Sequence, residues 1–216
     1  MHFLIEIGTL NLVMRLYLHP DNPQARSIAQ LAGALRDGAL MCYPTDSTYA
    51  FGWLPNQKAP AERVARIRKL SGRHLYALAC RDIKQASEFG KMDNRAFSIL
   101  KAHTPGPYTF ILPATTAMPK RLIDEKRRTI GIRIPQNNVV QALLAMLEEP
   151  LMTSSLSLPA SLNEFYSVDE LCDEFEHQVD YFVDGGHVGY EPTTLVDLTG
   201  TEVSVVRVGK GSVERL

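Results

Sequence analysis

Apolar positions along the chain follow two spacings, and proline, glycine, asparagine or aspartate stand where one gives way to the other. Short apolar runs predict strands at 14–18, 39–43, 75–80, 108–112, 129–134, 151–154, 179–183, 194–198 and 203–208. Helical spacing takes over between them. Ile28, Leu31, Ala32 and Leu35 mark a helix that begins at Asn22-Pro23 and stops at Gly38. Val64 and Ile67 face inward from a second helix over 60–68, and the following Lys69-Leu70-Ser71-Gly72 reads as its end. Asp82 caps a short helix, Asp93 or Asn94 opens one carrying Phe97 and Leu100, and Asn137 or Asn138 opens one through Val140, Leu143, Leu144 and Leu147. Ser167-Val168-Asp169-Glu170 has the form of a capping box.

Strands and helices alternate without a long linker or internal repeat, and the last strands have no helix between them. This predicts a single-domain α/β fold on a twisted, mixed parallel/antiparallel sheet with flanking helices. Ligands of such sheets sit at the carboxyl ends of strands.

Composition narrows the function classes. The 216 residues are 45% apolar and 22% charged with a formal net charge of -1, an ordinary globular balance that gives no global pull toward nucleic acid or membrane. Any affinity for RNA must come from a local patch. Cys42, Cys80 and Cys172 are scattered with no CxxC pair, which predicts buried thiols, no zinc site and a reducing cytoplasm. Residues 1–18 are mildly apolar, but Glu6 interrupts them and no basic segment precedes them. No run approaches the ~20 apolar residues of a membrane span. Met14 can equally serve as the start, making 1–13 a non-native or disordered extension of a domain over 14–216.

Four segments could carry chemistry. Pro44-Thr45-Asp46-Ser47-Thr48 places hydroxyls and one carboxylate at a strand end, although the same residues are ordinary turn formers. Arg66-Ile67-Arg68 lies at a helix end. On a continuous helix these arginines diverge, but Arg68 past the last turn could converge with Arg66 on a phosphate. A solvated helix C-terminus explains them equally. Ser154-Ser155-Leu156-Ser157 follows another strand. Arg133 and Arg207 sit in apolar strands, where a buried cation needs a partner or a cleft. There is no GxGxxG after a strand, no P-loop, no GxSxG elbow and no HExxH.

In order, these segments resemble the YrdC/YciO family, and within it the YciO branch, from about residue 16 to 209. The likeness runs through Tyr43-Pro44-Thr45-Asp46-Ser47-Thr48-Tyr49, Thr104-Pro105-Gly106-Pro107-Tyr108-Thr109-Phe110, Gly131-Ile132-Arg133-Ile134-Pro135, Ser154-Ser155-Leu156-Ser157, Asp184-Gly185-Gly186, Pro192-Thr193-Thr194 and Arg207-Val208-Gly209. His19-Pro20-Asp21-Asn22-Pro23 and Cys80-Arg81-Asp82 point to the branch. The resemblance implies a deep basic concave cleft. It also implies synthesis of threonylcarbamoyl-AMP and pyrophosphate from threonine, bicarbonate and ATP with Mg²⁺, for tRNA modification.

Residue by residue, it implies Arg66, Arg68, Ser155 and Ser157 at catalytic positions. Thr45 and Thr48 fall near the amino acid, and Arg133, Thr194 and Arg207 line the nucleotide site. Arg66 and Ser157 stand where the family carries lysine and asparagine, which implies a divergent or weak synthase. The alternative is a module that binds double-stranded RNA, tRNA or rRNA, with Arg127 and Arg128 in the basic run Lys120, Arg121, Lys126, Arg127, Arg128. A regulatory nucleotide binder without chemistry is a third reading.

Overall fold

The structure is a computed structural model that describes residues 13–69, 76–119, 122, 126–156, 166–214 and 216. In chain order the elements are β1 (Met14–Tyr17), α1 (Ala25–Arg36), β2 (Met41–Pro44), β3 (Tyr49–Trp53), α2 (Lys58–Ile67), β4 (Ala77–Ala79), α3 (Ile83–Phe89) and α4 (Asn94–His103). They continue with β5 (Tyr108–Pro113), β6 (Thr129–Arg133), α5 (Asn138–Leu147), β7 (Leu151–Ser155), α6 (Val168–Phe175), β8 (Tyr181–Asp184), β9 (Thr194–Asp197) and β10 (Ser204–Arg207). One ten-stranded sheet runs β1-β8-β2-β3-β7-β4-β6-β5-β9-β10. β1 with β8, β2 with β8, β4 with β6 and β5 with β9 are parallel; the other neighbours are antiparallel. The expected mixed sheet is therefore present.

Helices cover both faces. α1 packs on α5, and their Leu31, Leu35, Val140 and Leu144 bury Met41, Tyr43, Ala50, Ala79 and Leu151 of one sheet face. On the opposite face Val64 of α2, Leu100 of α4 and Phe175 of α6 pack with Phe51, Trp53, Leu78, Phe110 and Ile132. Cross-strand partners share a face, so the register extends the α1/α5 side onto β4, β5, β6, β7 and β9. Ala77 opposes both Thr153 and Gly131, Ile111 opposes Gly131, and Thr109 opposes Leu195. Among the described residues, no helix beyond α1 and α5 covers this part of the face. It is the floor of a cleft.

Local chemistry explains most boundaries. Asp82, Asp93 and Asn137 accept from the backbone N–H of Gln85, Ala96 and Val140 as N-caps of α3, α4 and α5. The capping box of α6 forms: Ser167 Oγ accepts from Glu170 N, and Glu170 Oε2 accepts from Ser167 N. These bonds hold the Glu170 carboxyl below its usual range. Ser167→Ala is expected to lower stability by about 1 kcal/mol, measured by urea unfolding.

Three expectations are corrected. α1 begins at Ala25 after the N-cap Gln24, which makes no side-chain capping bond, while Asp21 and Asn22 donate their N–H groups to His19 Nδ1 in a preceding turn. Phe97 is 45% exposed on α4 and lies outside the core. β3 was not foreseen. Its five residues are all buried, so no polar alternation marks it. A Cβ at Gly52 would lie 2.5 Å from Met41 Cε and 2.7 Å from Tyr43 Cε1, so those side chains pack directly on the glycine backbone. The three cysteines are buried and unpaired, as expected. Residues 1–12, Leu75, Lys120, Arg121 and Ser157 lie outside the described residues.

Candidate active site

Three cavities adjoin one another, two over the open face and one at the neighbouring strand ends. The central one, about 240 Å³, is lined by Arg68, Arg133, Arg207, Ser155, Thr153 and Thr193. A second, about 330 Å³, shares Arg68, Ser155 and Arg207 with it and is walled by Thr48, Tyr49, Tyr166 and Tyr190. The third, about 250 Å³ and mostly apolar, shares Tyr76, Ala77, Thr109 and Leu195 with the centre and extends over Ile111 and Gly131. The cleft thus has a guanidinium-rich middle, a tyrosine-lined end and an apolar end.

Arg68 is the C-cap of α2, just past its last helical residue, as the sequence suggested. Its Nη1 donates to Ser154 Oγ at 2.6 Å. Burial pulls its guanidinium below the ordinary value, partly offset by Tyr76. A cation stripped of water in this way gains from an approaching anion. Arg66 does not converge with it. It is exposed in the last turn of α2 and lines none of the three cavities, because residues two apart on a helix diverge.

Arg133, at the end of β6, is 2% exposed. Its Nη2 donates to Asp46 Oδ1 at 2.5 Å and to Ser47 Oγ at 3.4 Å. Asp46 Oδ2 accepts from Gln136 N at 2.8 Å. The Arg133 Nε is buried without a hydrogen-bond partner. Asp46 therefore fixes the fork and leaves donor capacity beside the cavity.

The threonines divide. Thr48 lines the tyrosine end and donates its hydroxyl proton to the Tyr49 carbonyl at 2.8 Å, so toward the cavity it can only accept. Thr45 donates to the Thr48 carbonyl at 2.6 Å and lies 3.1 Å from Ser47 Oγ, which shapes the turn and keeps it out of the cavity lining. Thr194 is also turned away from the cavity. It donates to the Gly211 carbonyl at 2.6 Å and accepts from Gly209 N at 3.0 Å. Its neighbour Thr193 lines the centre instead, with Oγ1 2.8 Å from Thr109 Oγ1. Arg207 donates to the Thr193 carbonyl at 2.9 Å and faces both polar cavities.

The C-terminal segment packs beside the site. Lys210 Nζ donates to the Asp46 carbonyl at 2.6 Å, and Tyr108 donates to the Ser212 carbonyl at 2.9 Å. Of the basic run, Arg127 enters the lining of the apolar cavity and stands 3.9 Å from Asp197, while Arg128 is exposed with a left-handed backbone, φ 54. Sequence reasoning passed over Tyr76, Tyr166 and Tyr190. No motif marks a lone tyrosine in a loop, and only the fold brings these rings to one cleft. Among the described residues no three His, Cys, Asp or Glu side chains group as a metal site.

The fold is that of an α/β domain with an arginine-lined cleft at its sheet. The chain belongs to the Sua5/YciO/YrdC family, whose profile, described as "Telomere recombination", matches residues 33–209. YciO of Escherichia coli K12, itself described as uncharacterized, is 46% identical over 198 residues, covering 92% of this chain and 96% of its own. The crystal structure of E. coli YciO superposes with a TM-score of 0.88 over 94% of this chain and 98% of that one. A threonylcarbamoyl-AMP synthase of Vibrio vulnificus YJ016 is 25% identical over 162 residues, 74% of this chain and 86% of its own. The fold is also that of P. abyssi Sua5 complexed with L-threonine, with a TM-score of 0.78 at 20% identity over 91% of this chain and 58% of that one. No helix among the described residues is long and apolar enough to cross a membrane.

Proposed function

We propose that the protein binds ATP and an amino acid in this cleft and is a divergent, slow threonylcarbamoyl-AMP synthase of the cytoplasm. The observation that carries the reading is the convergence of Arg68, Arg133 and Arg207 on one 240 Å³ cavity between an apolar and a polar end. The apolar end suits a nucleobase. The three guanidiniums suit the phosphates, with Mg²⁺ entering on the nucleotide. Thr48, an obligatory acceptor, suits the amino group of threonine.

In the reaction, the threonine nitrogen bonds to the carbon of bicarbonate with loss of water. An oxygen of the resulting carbamate bonds to the α-phosphorus as pyrophosphate leaves. Fixed guanidiniums stabilise the charge that builds on the phosphate oxygens, and holding the reactants together supplies the rest. Arg66, exposed, would meet the polyphosphate tail only outside the cleft. Ser157 in place of asparagine removes an amide donor and acceptor, which slows the step.

ATP–pyrophosphate exchange should require both threonine and bicarbonate. It should fall by about 10²-fold in Arg68→Ala, the usual cost of removing a donor to developing charge. Exchange at background level with threonine and bicarbonate present would overturn the synthase reading.

A further inference from the structure

The tyrosine end of the cleft is larger than threonine needs. A cavity of about 150 Å³ already holds a benzene ring, and this one is about 330 Å³. Beside Thr48, Arg68, Ser155 and Arg207, its walls include Leu156, Pro192 and three tyrosines, of which Tyr49 and Tyr166 are buried and Tyr190 is exposed. Thr48 Oγ offers only lone pairs, because its proton is given to the Tyr49 carbonyl. The exposed ring of Tyr190 for stacking and one acceptor for an exocyclic amine suit an aminated base.

The opposite, apolar end is also ring-sized, at about 250 Å³. Between the two lies the guanidinium centre. Arg68 and Arg207 line both it and the tyrosine end, while Thr109 and Leu195 line both it and the apolar end. The order along the cleft is ring, anion, ring.

We infer that the cleft binds a dinucleoside polyphosphate end to end, with one base in the apolar cavity, the second among the tyrosines and the bridging phosphates on Arg68, Arg133 and Arg207. This rests on the reading of the apolar end and centre as a nucleotide site. It goes beyond that reading by adding a second base site that threonine alone does not use. Such a ligand spans the region assigned to the amino acid and therefore competes with threonine as well as with ATP.

The test is titration calorimetry of the full chain with diadenosine tetraphosphate and, separately, with ATP, both with Mg²⁺. The dinucleotide should bind about ten-fold or more tighter than ATP, the effect of one added base stack. Tyr190 is 54% exposed, so its replacement leaves the core intact. Tyr190→Ala should weaken the dinucleotide by about ten-fold and ATP by less than about two-fold, and Tyr190→Phe should restore the difference.

Gly131→Val serves as a variant at the other end. A Cβ there meets Thr109 Cγ2 at 3.4 Å and Ala77 Cβ at 3.5 Å, ordinary contacts, so the side chain fills the apolar cavity and should weaken both ligands. Equal affinity for the two ligands, or a Tyr190→Ala loss shared equally between them, would overturn the second base site while leaving the ATP site standing. Failure of ATP itself to bind would overturn the nucleotide reading and this inference together.

Discussion

Arg133→Ala is expected to lower the unfolding free energy by about 3–5 kcal/mol, the usual result of removing one partner of a buried ion pair. The pair is a buried one, with the Arg133 and Asp46 side chains 3% and 7% exposed and 2.5 Å apart. Without the guanidinium, Asp46 keeps its bond from Gln136 N but loses its counter-charge in a largely buried position. The double variant Asp46→Asn/Arg133→Met should recover much of this loss, since removing both charges leaves neither stranded.

Ligand affinity should part from stability in the same pair of variants. If Arg133 serves only the fold, the double variant should regain nucleotide binding along with stability. If its Nε, buried and without a partner, serves the ligand, the stable double variant should still bind ATP poorly. Urea unfolding and calorimetry on the two proteins separate these results. A destabilisation of Arg133→Ala below about 1 kcal/mol would show that the pair is screened by solvent.

The second large effect is expected at Gly209. A Cβ there would stand 2.2 Å from the Pro192 carbonyl oxygen and 2.8 Å from Thr193 backbone atoms. Backbone cannot yield as a side-chain tip can, so Gly209→Ala must lift the C-terminal segment from the start of β9. That breaks a connected set of bonds: Gly209 N to Thr194 Oγ1, Thr194 Oγ1 to the Gly211 carbonyl, and Lys210 N to the Pro192 carbonyl. It also shifts Arg207, two residues earlier, and Thr193, which it touches.

Strain of this kind costs roughly 1–3 kcal/mol, which for a chain of this size is a fall of about 2–12 °C in Tm. Because Arg207 and Thr193 both line the central cavity, ATP affinity should fall too. A variant with unchanged Tm and unchanged ATP affinity would show that the segment is no part of the site. Gly38→Ala makes a useful comparison: its φ of 101 gives backbone strain, but a Cβ there meets nothing within 4 Å and it lies in a turn after α1. It should lower stability and leave ATP affinity unchanged.

Much of the fold is legible in the sequence because the signals are local. Caps at Asp82, Asp93, Asn137 and Ser167 act over three residues, and the pattern Val140, Leu143, Leu144, Leu147 declares one buried helix face by itself. Where the signal is not local, reading fails. β3 is apolar throughout because both faces are covered, and its place between β2 and β7 depends on residues about one hundred positions away. α1 starts later than Asn22-Pro23 suggests, and His19, not Asn22, organises the turn before it.

The site divides in the same way. Arg68, Arg133, Arg207, Thr48 and Ser155 are singled out by sequence and lie in the cleft lining. Arg66, Thr45 and Thr194 are singled out equally, yet one is exposed and the other two spend their hydroxyl protons on backbone carbonyls. Residue type cannot distinguish these cases, since a threonine that holds a turn and one that faces a ligand look alike in a string. Position against the cleft distinguishes them, since Thr48 also gives its proton to a backbone carbonyl and yet lines the cavity, and that is a tertiary property.

The sequence by itself determined the α/β class, the mixed sheet, the helix caps, the buried cysteines and the set of polar segments from which a site could be drawn. Each follows from spacing or from a side chain bonding within its own turn. Only the tertiary structure decided which arginines meet. The register of β4, β5, β6, β7 and β9 aligns Ala77, Gly131, Thr109 and Leu195 into an open floor beyond α1 and α5. The C-cap geometry of α2 turns Arg68 onto that floor and leaves Arg66 outside. A two-residue difference along the chain becomes opposite sides of a helix, so convergence is fixed by three-dimensional packing and cannot be read from proximity in sequence.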